Sequence, residues 1–354
     1  MIQQKDLAVQ LGIERSSVAV HITNLMKKGL VQGKGYIISE SERIVVIGGS
    51  NVDISGKTLA LKRSDSAEGS IGLSAGGVGR NIAEVCGKLS GQVKLLSAVG
   101  SDPYGELIMK ATRNAGVDVS KVHIDHQLPT SAYLAVIDGS GDMVYAINDM
   151  AAIKAVSPHY IRAQTQVIKH AKVVVIDANL PEETIESLHA LGHDRVIADP
   201  VSTVKAKKLR GILSGLYGIK PNRYEAKALS GIAIETMEDA IKAVDWFHTR
   251  GVKHVVLSLG SEGLVASDGK TIYHIAQSPV EMVNATGAGD VFIGAWAVFS
   301  IQGLPFIDCI RRAALAARFN VTSEATIHEA LCLEQIESDL EEVTLNERVL
   351  RHSS

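Results

Sequence analysis

Disulfide-forming residues and long apolar runs are scarce in this sequence. Its 354 residues include three cysteines, Cys86, Cys309 and Cys332, which form neither a CxxC pair nor an even set. A disulfide framework of the kind that stabilises small secreted proteins is therefore excluded. No stretch approaches the roughly 18 apolar residues of a membrane span, and the first residues lack the apolar core of a signal peptide. We expect a soluble protein of the reducing cytoplasm.

Aromatic residues and an excess of one charge are also missing. Lys and Arg total 36 against 39 Asp and Glu, so the formal net charge is −3. This balance excludes a polybasic surface over the whole chain, although a small basic module remains compatible with it. Aromatic residues make up 4% of the chain, whereas 46% of residues are hydrophobic, a normal globular balance. At about 150 residues per domain, the length predicts a large domain with a small one, or two of moderate size.

Residues 1–40 read as a small unit of their own. Apolar spacing predicts a helix over 3–11, a break at Gly12, a second helix over 14–28 and then a short hairpin. Helix, turn, helix and hairpin is the pattern of a winged helix-turn-helix. The side chains expected at DNA are Arg15, Ser16, Ser17, His21 and, on the wing, Lys34.

Two features leave that interpretation open. The helix that normally closes the core of such a unit is missing from the pattern, so we expect that the unit packs on the larger domain or on a second copy of the chain, or that the true start lies upstream. The alternative is a helical pair with solvated charges and no contact with DNA.

Beyond a polar linker at 39–43, strands alternate with helices. Buried-strand patterns at 44–47, 93–98 and 173–176 begin a series that predicts an α/β domain over 43–340, with a mainly parallel sheet flanked by helices. Two segments, near 54–73 and 132–148, interrupt this alternation. The second contains a hairpin, which we expect to act as a lid. Residues 341–354 read as a charged C-terminal tail.

One glycine-rich segment carries the clearest chemical signal. Asn284-Ala285-Thr286-Gly287-Ala288-Gly289-Asp290 runs directly into an apolar, helix-like stretch. Small residues there let backbone N–H groups converge at a helix N-terminus, where the helix dipole favours an anion. A carboxylate beside such an anion site is what phosphoryl transfer to an alcohol requires, since it accepts the hydroxyl proton. The alternative is an aspartate that simply starts a helix.

Other nucleotide-binding patterns are incomplete. No GxxxxGK[ST] segment occurs, and Gly76-Gly77-Val78-Gly79 lacks the last glycine of GxGxxG, which disfavours a P-loop enzyme or a dinucleotide-dependent dehydrogenase. GGVGRNIA at 76–83 and ATGAGD at 285–290 instead resemble the two signatures of the PfkB, or ribokinase-like, family of sugar and nucleoside kinases. The resemblance covers about 43–335. Within the family the chain is most similar to pseudouridine kinases, through segments at 146–150, 199–202 and 220–223.

The resemblance implies ATP-dependent phosphorylation of the ribose 5′-hydroxyl of pseudouridine. Asp290 would be the general base, and Gly287, Ala288 and Gly289 would hold the γ-phosphoryl group. The residues implied as ribose contacts are Asn51, Asp53, Gly76, Gly77 and Asn81. Asn148 and Asp149, at the return of the lid hairpin, are candidates to meet the N1–H of the base, a donor that uridine lacks; a surface turn is the alternative.

The family resemblance also implies a nucleotide site. Residues similar to its ATP contacts are Asn222, Lys205, Ser258, Gly260 and Gly263. Glu225, three residues after Asn222, would help to place Mg²⁺ through water. Asn284 stands where the family usually has aspartate; its amide oxygen can ligate K⁺ but adds no charge, which puts potassium dependence in doubt. Lys205 could equally be a solvated surface residue.

Several readings of the whole protein remain open. A kinase for ribose, fructose or uridine would share the same catalytic loop, and a DNA-binding regulator could use the kinase fold as a sensor. An intact Asp290 favours an enzyme over a sensor. The edge of a lid hairpin also offers a surface for pairing two copies, so we expect a homodimer.

Overall fold

The computed structural model describes residues 4–32, 37–38, 44–59, 65–140 and 142–352. The N-terminal unit has helices α1 (Gln4–Leu11) and α2 (Arg15–Lys27), then strands β1 (Val31–Gln32) and β2 (Ile37–Ile38), which pair antiparallel. Its small core consists of Ala8, Val18, Ile22 and Val31. The elements therefore occur in the predicted order. Lys34 lies outside the described residues, and DNA binding stays a prediction.

A nine-stranded sheet, counted over the described residues, forms the centre of the larger domain. The strand order is β17-β16-β15-β14-β13-β12-β11-β3-β6, and pairing is parallel from β6 to β14 and antiparallel from β14 to β17. The strands are β3 (Ile44–Ile47), β6 (Val93–Leu96), β11 (Val173–Asp177), β12 (Val196–Asp199), β13 (Gly218–Ile219), β14 (His254–Ser258), β15 (Leu264–Ser267), β16 (Thr271–Gln277) and β17 (Leu345–His352). The parallel strands are apolar on both faces because helices cover both.

A second sheet forms the lid. Its order is β10-β9-β4-β5, with strands β4 (Asn51–Thr58), β5 (Gly69–Gly76), β9 (Ala132–Ile137) and β10 (Met143–Asp149). Strands β9 and β10 form the predicted hairpin, and β9 also pairs in parallel with β4. A short parallel pair, β7 (Ala98–Gly100) and β8 (His123–Asp125), lies outside both sheets. The two segments predicted to interrupt the alternation thus meet in a single lid.

Helices flank the central sheet on both faces. They are α3 (Val78–Ser90), α4 (Pro103–Asn114), α5 (Pro158–Ala163), α6 (Thr165–His170), α7 (Glu182–His189), α8 (Thr203–Ala206), α9 (Arg223–Ser230), α10 (Met237–Thr249), α11 (Ala288–Ile301), α12 (Phe306–Asn320) and α13 (Leu333–Glu342). Short 3₁₀ helices span Ala151–Ala155, Lys207–Gly215 and Gly260–Glu262. Within the described ranges, no helix is both long and apolar enough to span a bilayer.

Helix α11 is the buried centre of one face. Its residues from Asp290 to Ser300 are all buried, and it packs against α3 and α12. A helix that is apolar on all sides is stable only when surrounded in this way. The start of this helix, including Gly287 and Asp290, lines a cleft.

The C-terminal segment differs from expectation. The stretch read as a charged tail over 341–354 contains β17, which pairs along its length with β16. Its charged residues are held by partners on neighbouring helices: Glu347 pairs with Arg311, and Arg351 with Asp245. An edge strand tolerates such charges because one side of it faces water. The charged sequence therefore gave no apolar pattern from which a strand could be predicted.

Candidate active site

A large open cleft lies between the lid and the carboxyl ends of the parallel strands. Its volume is about 2000 Å³, and its walls include residues of β4, β9 and β10 above and the start of α11 below. Ligands of open α/β sheets bind in the crevice outside the carboxyl ends of the strands. The polar residues that end or follow these strands therefore mark the site.

The start of α11 provides the anion site. Gly287, the N-cap residue, has φ of +81°, and a Cβ there would overlap the carbonyl oxygen of Thr326. Only glycine fits both conditions. The backbone amides of the first helical turn, which includes Ala288, Gly289 and Asp290, have no acceptor inside the helix. The N–H of Ala288 donates to the carbonyl oxygen of Ala285 at 3.4 Å, whereas those of Gly289 and Asp290 can bind an anion in the cleft, which the helix dipole also favours.

Asp290 lies at this helix start and lines the cleft while being 9% exposed. Asn81 Nδ2 donates a hydrogen bond to its Oδ2 at 2.8 Å. Burial, followed by the negative charge of Asp199, raises the pKa of Asp290 to about 8, against the opposing effects of Asn81 and Lys220. A carboxylate with a pKa near the working pH is a stronger base than an exposed aspartate. The position of Asp290 in the cleft and its raised pKa are compatible with a general base, and that role stays a prediction.

Asp53 and its neighbours form the wall of the cleft beneath the lid. Asn51 Nδ2 donates to Asp53 Oδ1 at 2.6 Å, and Asn51 pairs with Gly76 across the two strands. A Cβ on Gly76 would overlap the Asp53 carboxylate, so glycine at that position leaves room for the acid. Burial raises the pKa of Asp53, while the Asn51 hydrogen bond and the charge of Arg80 act against this rise.

Gly77 completes this wall. It has φ of +101°, and a Cβ there would lie 2.6 Å from the carbonyl oxygen of Gly49. The tight turn it permits starts α3, which carries Asn81 towards Asp290. Asn51, Asp53, Gly77 and Asn81 all line the cleft. The structure therefore brings most of the predicted ribose contacts next to the predicted base.

The structure separates the two residues predicted to contact the uracil. Asn148 lines the cleft. The Asp149 carboxylate instead accepts the backbone N–H of Ala151, two residues on, at 3.0 Å, and it does not line the cleft. Successive residues of a strand face opposite sides of a sheet, so one of the pair must point away.

Asn222 and Glu225 serve first as a capping box for α9. Asn222 Oδ1 accepts the backbone N–H groups of Tyr224 and Glu225, both at 2.9 Å. Glu225 Oε2 accepts the N–H of Asn222 at 2.9 Å. This reciprocal pairing explains the spacing of three residues without a ligand. Burial raises the pKa of Glu225. A positive charge close to this carboxyl would oppose that rise and favour its ionised form.

The remaining predicted ATP contacts fall into two groups. Ser258, Gly260 and Gly263 lie at and beyond the carboxyl end of β14, beside Asn222 rather than on the cleft wall. The buried Ser258 Oγ has no hydrogen-bond partner. Lys205 lines the cleft, and its Nζ donates to Asn179 Oδ1 at 2.6 Å. Burial lowers the pKa of Lys205, so this lysine is not the solvated surface residue of the alternative reading.

Lys220 is a site residue that the sequence reasoning missed. It follows β13, and its Nζ lies 5.5 Å from the centre of the Phe292 ring, one turn into α11. Its charge lowers the pKa of Asp199, Glu225 and Asp290 alike. The sequence feature that could have identified Lys220 is its position between a short apolar strand and the Pro221-Asn222 pair. Lys220 therefore offsets part of the cost of burying these three carboxyls.

Asn284 is held by two hydrogen bonds. Its Oδ1 accepts the N–H of Thr286 at 2.9 Å, and its Nδ2 donates to the carbonyl oxygen of Glu324 at 3.0 Å. Only an amide can make both bonds, because a carboxylate has no donor. The oxygen expected to ligate K⁺ is thus already in use in the loop, and monovalent-cation binding stays a prediction.

Protein ligands for a metal are sparse. In the part of the chain that the structure describes, no group of three His, Cys, Asp or Glu side chains could hold a metal ion. Mg²⁺ usually keeps several waters and takes one or two carboxylates together with substrate phosphates. The buried Glu225 carboxyl near Lys220 fits such a site, because an added cation would offset the cost of its burial.

Comparison with known proteins identifies the family of this chain. The model of the pfkB family of carbohydrate kinases matches residues 41–331. This chain belongs to the PfkB family. The PfkB-family chain is 37% identical over 306 residues to pseudouridine kinase of Escherichia coli strain K12, a match that covers 85% of this chain and 97% of that protein.

Two further relatives support the same assignment. An uncharacterized sugar kinase of Escherichia coli strain K12 is 37% identical over 326 residues, covering 91% of this chain and 90% of that protein. The structure of Arabidopsis thaliana ribokinase in complex with ribose and ATP superimposes with a TM-score of 0.76 at 25% identity, covering 85% of this chain and 99% of that one. This protein is therefore a ribokinase-like kinase that transfers a phosphoryl group to an alcohol.

The candidate DNA contacts belong to the N-terminal unit and do not line the cleft. Arg15, Ser16, Ser17 and His21 are all exposed on α2, and the family match begins only at residue 41. Their exposure leaves them free for a partner. Their role at DNA stays a prediction.

Proposed function

We propose that this kinase phosphorylates the 5′-hydroxyl of pseudouridine with ATP, giving pseudouridine 5′-phosphate and ADP. The observation that carries the proposal is the position of Asp290, buried at an amide-lined helix start within the same cleft as Asp53 and Asn51. A hydroxyl group bound in this cleft would therefore lie near both a carboxylate that can accept its proton and backbone amides that can bind a phosphoryl group. The similarity to an Escherichia coli pseudouridine kinase supports the choice of acceptor.

The proposed reaction is a direct transfer. The 5′-oxygen bonds to the γ-phosphorus while the bond from that phosphorus to the β,γ-bridging oxygen breaks. The hydroxyl proton passes to a carboxylate oxygen of Asp290, and ADP leaves with the bridging oxygen. Backbone N–H groups of the α11 start, including that of Gly289, stabilise the charge on the moving phosphoryl group.

ATP and Mg²⁺ are the proposed co-substrate and metal. Mg²⁺ neutralises phosphate charge when bound with the nucleotide. Glu225, through water, and Asn222 are the residues that would hold it. Lys205 supplies positive charge at the cleft wall, and Lys220 supplies it close enough to Asp290 to lower the pKa of that carboxyl. The Arabidopsis relative was solved with ATP, which supports the choice of nucleotide.

Recognition of the base is assigned to Asn148. Pseudouridine has an N1–H donor that uridine lacks, and the Asn148 amide oxygen can accept it from the cleft wall. Asn148 is exposed in this structure, so water can replace a missing partner, and the discrimination from this contact is expected to stay below the roughly 1–3 kcal/mol that a buried unpaired group costs. Asp149 is left out of this assignment, because its carboxylate accepts the N–H of Ala151 and lies outside the cleft lining.

A panel of acceptors tests the proposal. Purified protein with ATP and Mg²⁺ is offered pseudouridine, uridine, ribose and fructose separately, and kcat/KM is measured for each. We expect pseudouridine to exceed the others by about tenfold or more. A higher value for ribose or fructose would contradict the proposal and would favour a sugar kinase, like the uncharacterized relative.

A variant pair tests the base contact. Asn148→Ala is expected to reduce the preference for pseudouridine over uridine in direct competition. Asp149→Ala, the matched control on the neighbouring residue, is expected to keep the wild-type preference. Equal effects of the two substitutions would argue against a role for Asn148.

We also propose that the lid pairs two copies of the chain. It carries an apolar row, because Leu73, Ile54, Leu134 and Ile147 are aligned across the four strands, and of these only Ile54 also lines the cleft. Ile147 is 64% exposed and Leu73 50% exposed. An exposed apolar face of this kind marks an interaction surface. Light scattering should give a dimer for the wild type and a monomer for Ile147→Lys; a monomeric wild type would refute the pairing.

A further inference from the structure

Arg80, within the first glycine-rich signature, is buried behind the cleft. It is 4% exposed, and its guanidinium forms an ion pair with Glu84, one turn along α3. Its Nε donates to Thr112 Oγ1 at 3.2 Å. Its Nη1 donates to the carbonyl oxygen of Ala75 and to Asn81 Oδ1, each at 3.2 Å. One buried side chain thus joins three elements: α3, α4 and the lid strand β5.

The contact with Asn81 determines which way that amide faces. Because Asn81 Oδ1 accepts from Arg80, its Nδ2 points to Asp290 Oδ2, 2.8 Å away. With the amide reversed, its oxygen would face the carboxylate and its NH₂ would face the guanidinium. Both of those contacts are repulsive, since a carboxylate only accepts and a guanidinium only donates. Arg80 therefore excludes the reversed amide.

The contact with Ala75 extends the arrangement to the lid. Ala75 belongs to β5 and directly precedes the Gly76-Gly77 pair at the cleft. The same Nη1 that orients Asn81 also holds this carbonyl. The end of the lid strand and the hydrogen bond to the base thus share one donor.

We propose that Arg80 is a positioning residue for the general base: it holds the Asn81 amide toward Asp290 and joins it to the end of lid strand β5. This proposal rests on the proposed role of Asp290 as the base. It does not depend on which acceptor the enzyme phosphorylates.

Loss of this arrangement has a defined consequence for Asp290. The groups that face its carboxylate are Asn81 from α3, Asp199 from β12, Lys220 after β13 and, at longer range, Asp177 from β11. Asn81 and Lys220 favour the ionised form, and the two aspartates oppose it. Without an oriented Asn81 donor, the pKa of Asp290 rises and less of the base is ionised at neutral pH. The acid limb of the kcat profile should then move to higher pH.

Arg80→Lys is the first test. Lysine keeps the positive charge beside Glu84 but lacks the guanidinium fork that reaches Ala75 and Asn81. We expect the acid limb of kcat to move up by about one pH unit, so that kcat at pH 7 falls about tenfold and recovers at higher pH. The KM for ATP should change less than twofold. A wild-type profile would overturn the proposal and leave Arg80 a purely structural residue.

Thr112→Val is the matched control. It removes a different hydrogen-bond partner of Arg80, also fully buried, without touching Asn81. We expect lower thermal stability with a wild-type pH profile. If Thr112→Val shifted the profile as much as Arg80→Lys does, general loosening of the core would explain both, and the proposal would fail.

A double variant keeps the test decisive if Arg80→Lys does not fold. Arg80→Gln combined with Glu84→Gln replaces the buried ion pair with two amides, and Asp53, which loses the charge of Arg80, keeps its hydrogen bond from Asn51. The same shift of the acid limb is expected, and an unshifted limb overturns the proposal. All profiles use the acceptor that the wild type turns over best. If Asp290→Asn turns over normally, both the role of Asp290 as the base and this proposal are refuted. If Asp290→Asn is inactive but Arg80→Lys has a wild-type pH profile, only the role of Arg80 is refuted.

Discussion

Replacement of Asp290 by asparagine separates catalysis from binding in this kinase. Asparagine has the same shape, and its side-chain oxygen can still accept from Asn81 Nδ2, which now lies 2.8 Å from Asp290 Oδ2. It cannot take the proton of the acceptor hydroxyl. Loss of a catalytic base lowers rates by ~10²–10⁴-fold. We expect kcat to fall by at least this factor while the acceptor Kd changes only a few-fold.

The same substitution should stabilise the fold. An unfolded aspartate ionises near 3.8, whereas in the folded chain the pKa of Asp290 is about 8. Between these values the folded state holds a proton that the unfolded state has lost, so the free energy of unfolding falls as the pH rises. At 1.36 kcal/mol per pKa unit, this cost is on the order of 4 kcal/mol at pH 7. Asparagine does not ionise and avoids it.

Three measurements check this reasoning. Kinase turnover gives kcat, calorimetric titration gives the acceptor Kd, and thermal unfolding from pH 5 to pH 9 gives the stability difference. We expect Asp290→Asn to gain stability over the wild type as the pH rises through this window. An inactive variant whose stability advantage over the wild type is no larger at pH 8 than at pH 5 would refute the raised pKa. A variant that turns over normally would refute the assignment of the base.

Three other substitutions probe the surroundings of Asp290. Gly287→Ala should cost more than about 1 kcal/mol in stability and abolish turnover, because alanine is strained at φ of +81° and its Cβ would overlap Thr326; wild-type melting and activity would contradict this. Lys220→Met removes the cation near Asp290 and Glu225, so the acid limb of kcat should move to higher pH and the KM for ATP should rise. An unshifted limb would exclude Lys220 from the electrostatics of the base. Wild-type activity should differ less than twofold between Na⁺ and K⁺ buffers, since the Asn284 oxygen already accepts from Thr286. Asn284→Asp loses the donor to the Glu324 carbonyl and should need K⁺ for full activity; equal activity in both buffers would show that the carboxylate recruits no cation.

Features set by neighbouring residues were predictable from the sequence. The small residues before α11 indicated a helix start with free amides, and the turn at 138–141 indicated the lid hairpin. Both depend on short-range geometry: glycine at positive φ, and apolar residues at a fixed period. The C-terminal strand β17 was missed for the same reason. Its stability depends on pairing with β16 and on charge partners such as Arg311 and Asp245, which are far away in the sequence.

The amino-acid order alone determined the chemistry available to this protein: a carboxylate after a glycine-rich loop, a second acid near the start of the domain, and an alternation that requires a parallel sheet. Only the tertiary structure decided how those groups act on one another. It brought Asn81 to Asp290 across 209 positions, assigned the Asn222 and Glu225 pair to a helix cap, turned Asp149 away from the cleft and placed Lys220 among buried acids. The reason is physical: a side chain's type is encoded locally, but its burial, charge neighbours and hydrogen-bond partners depend on segments that meet only when the chain folds.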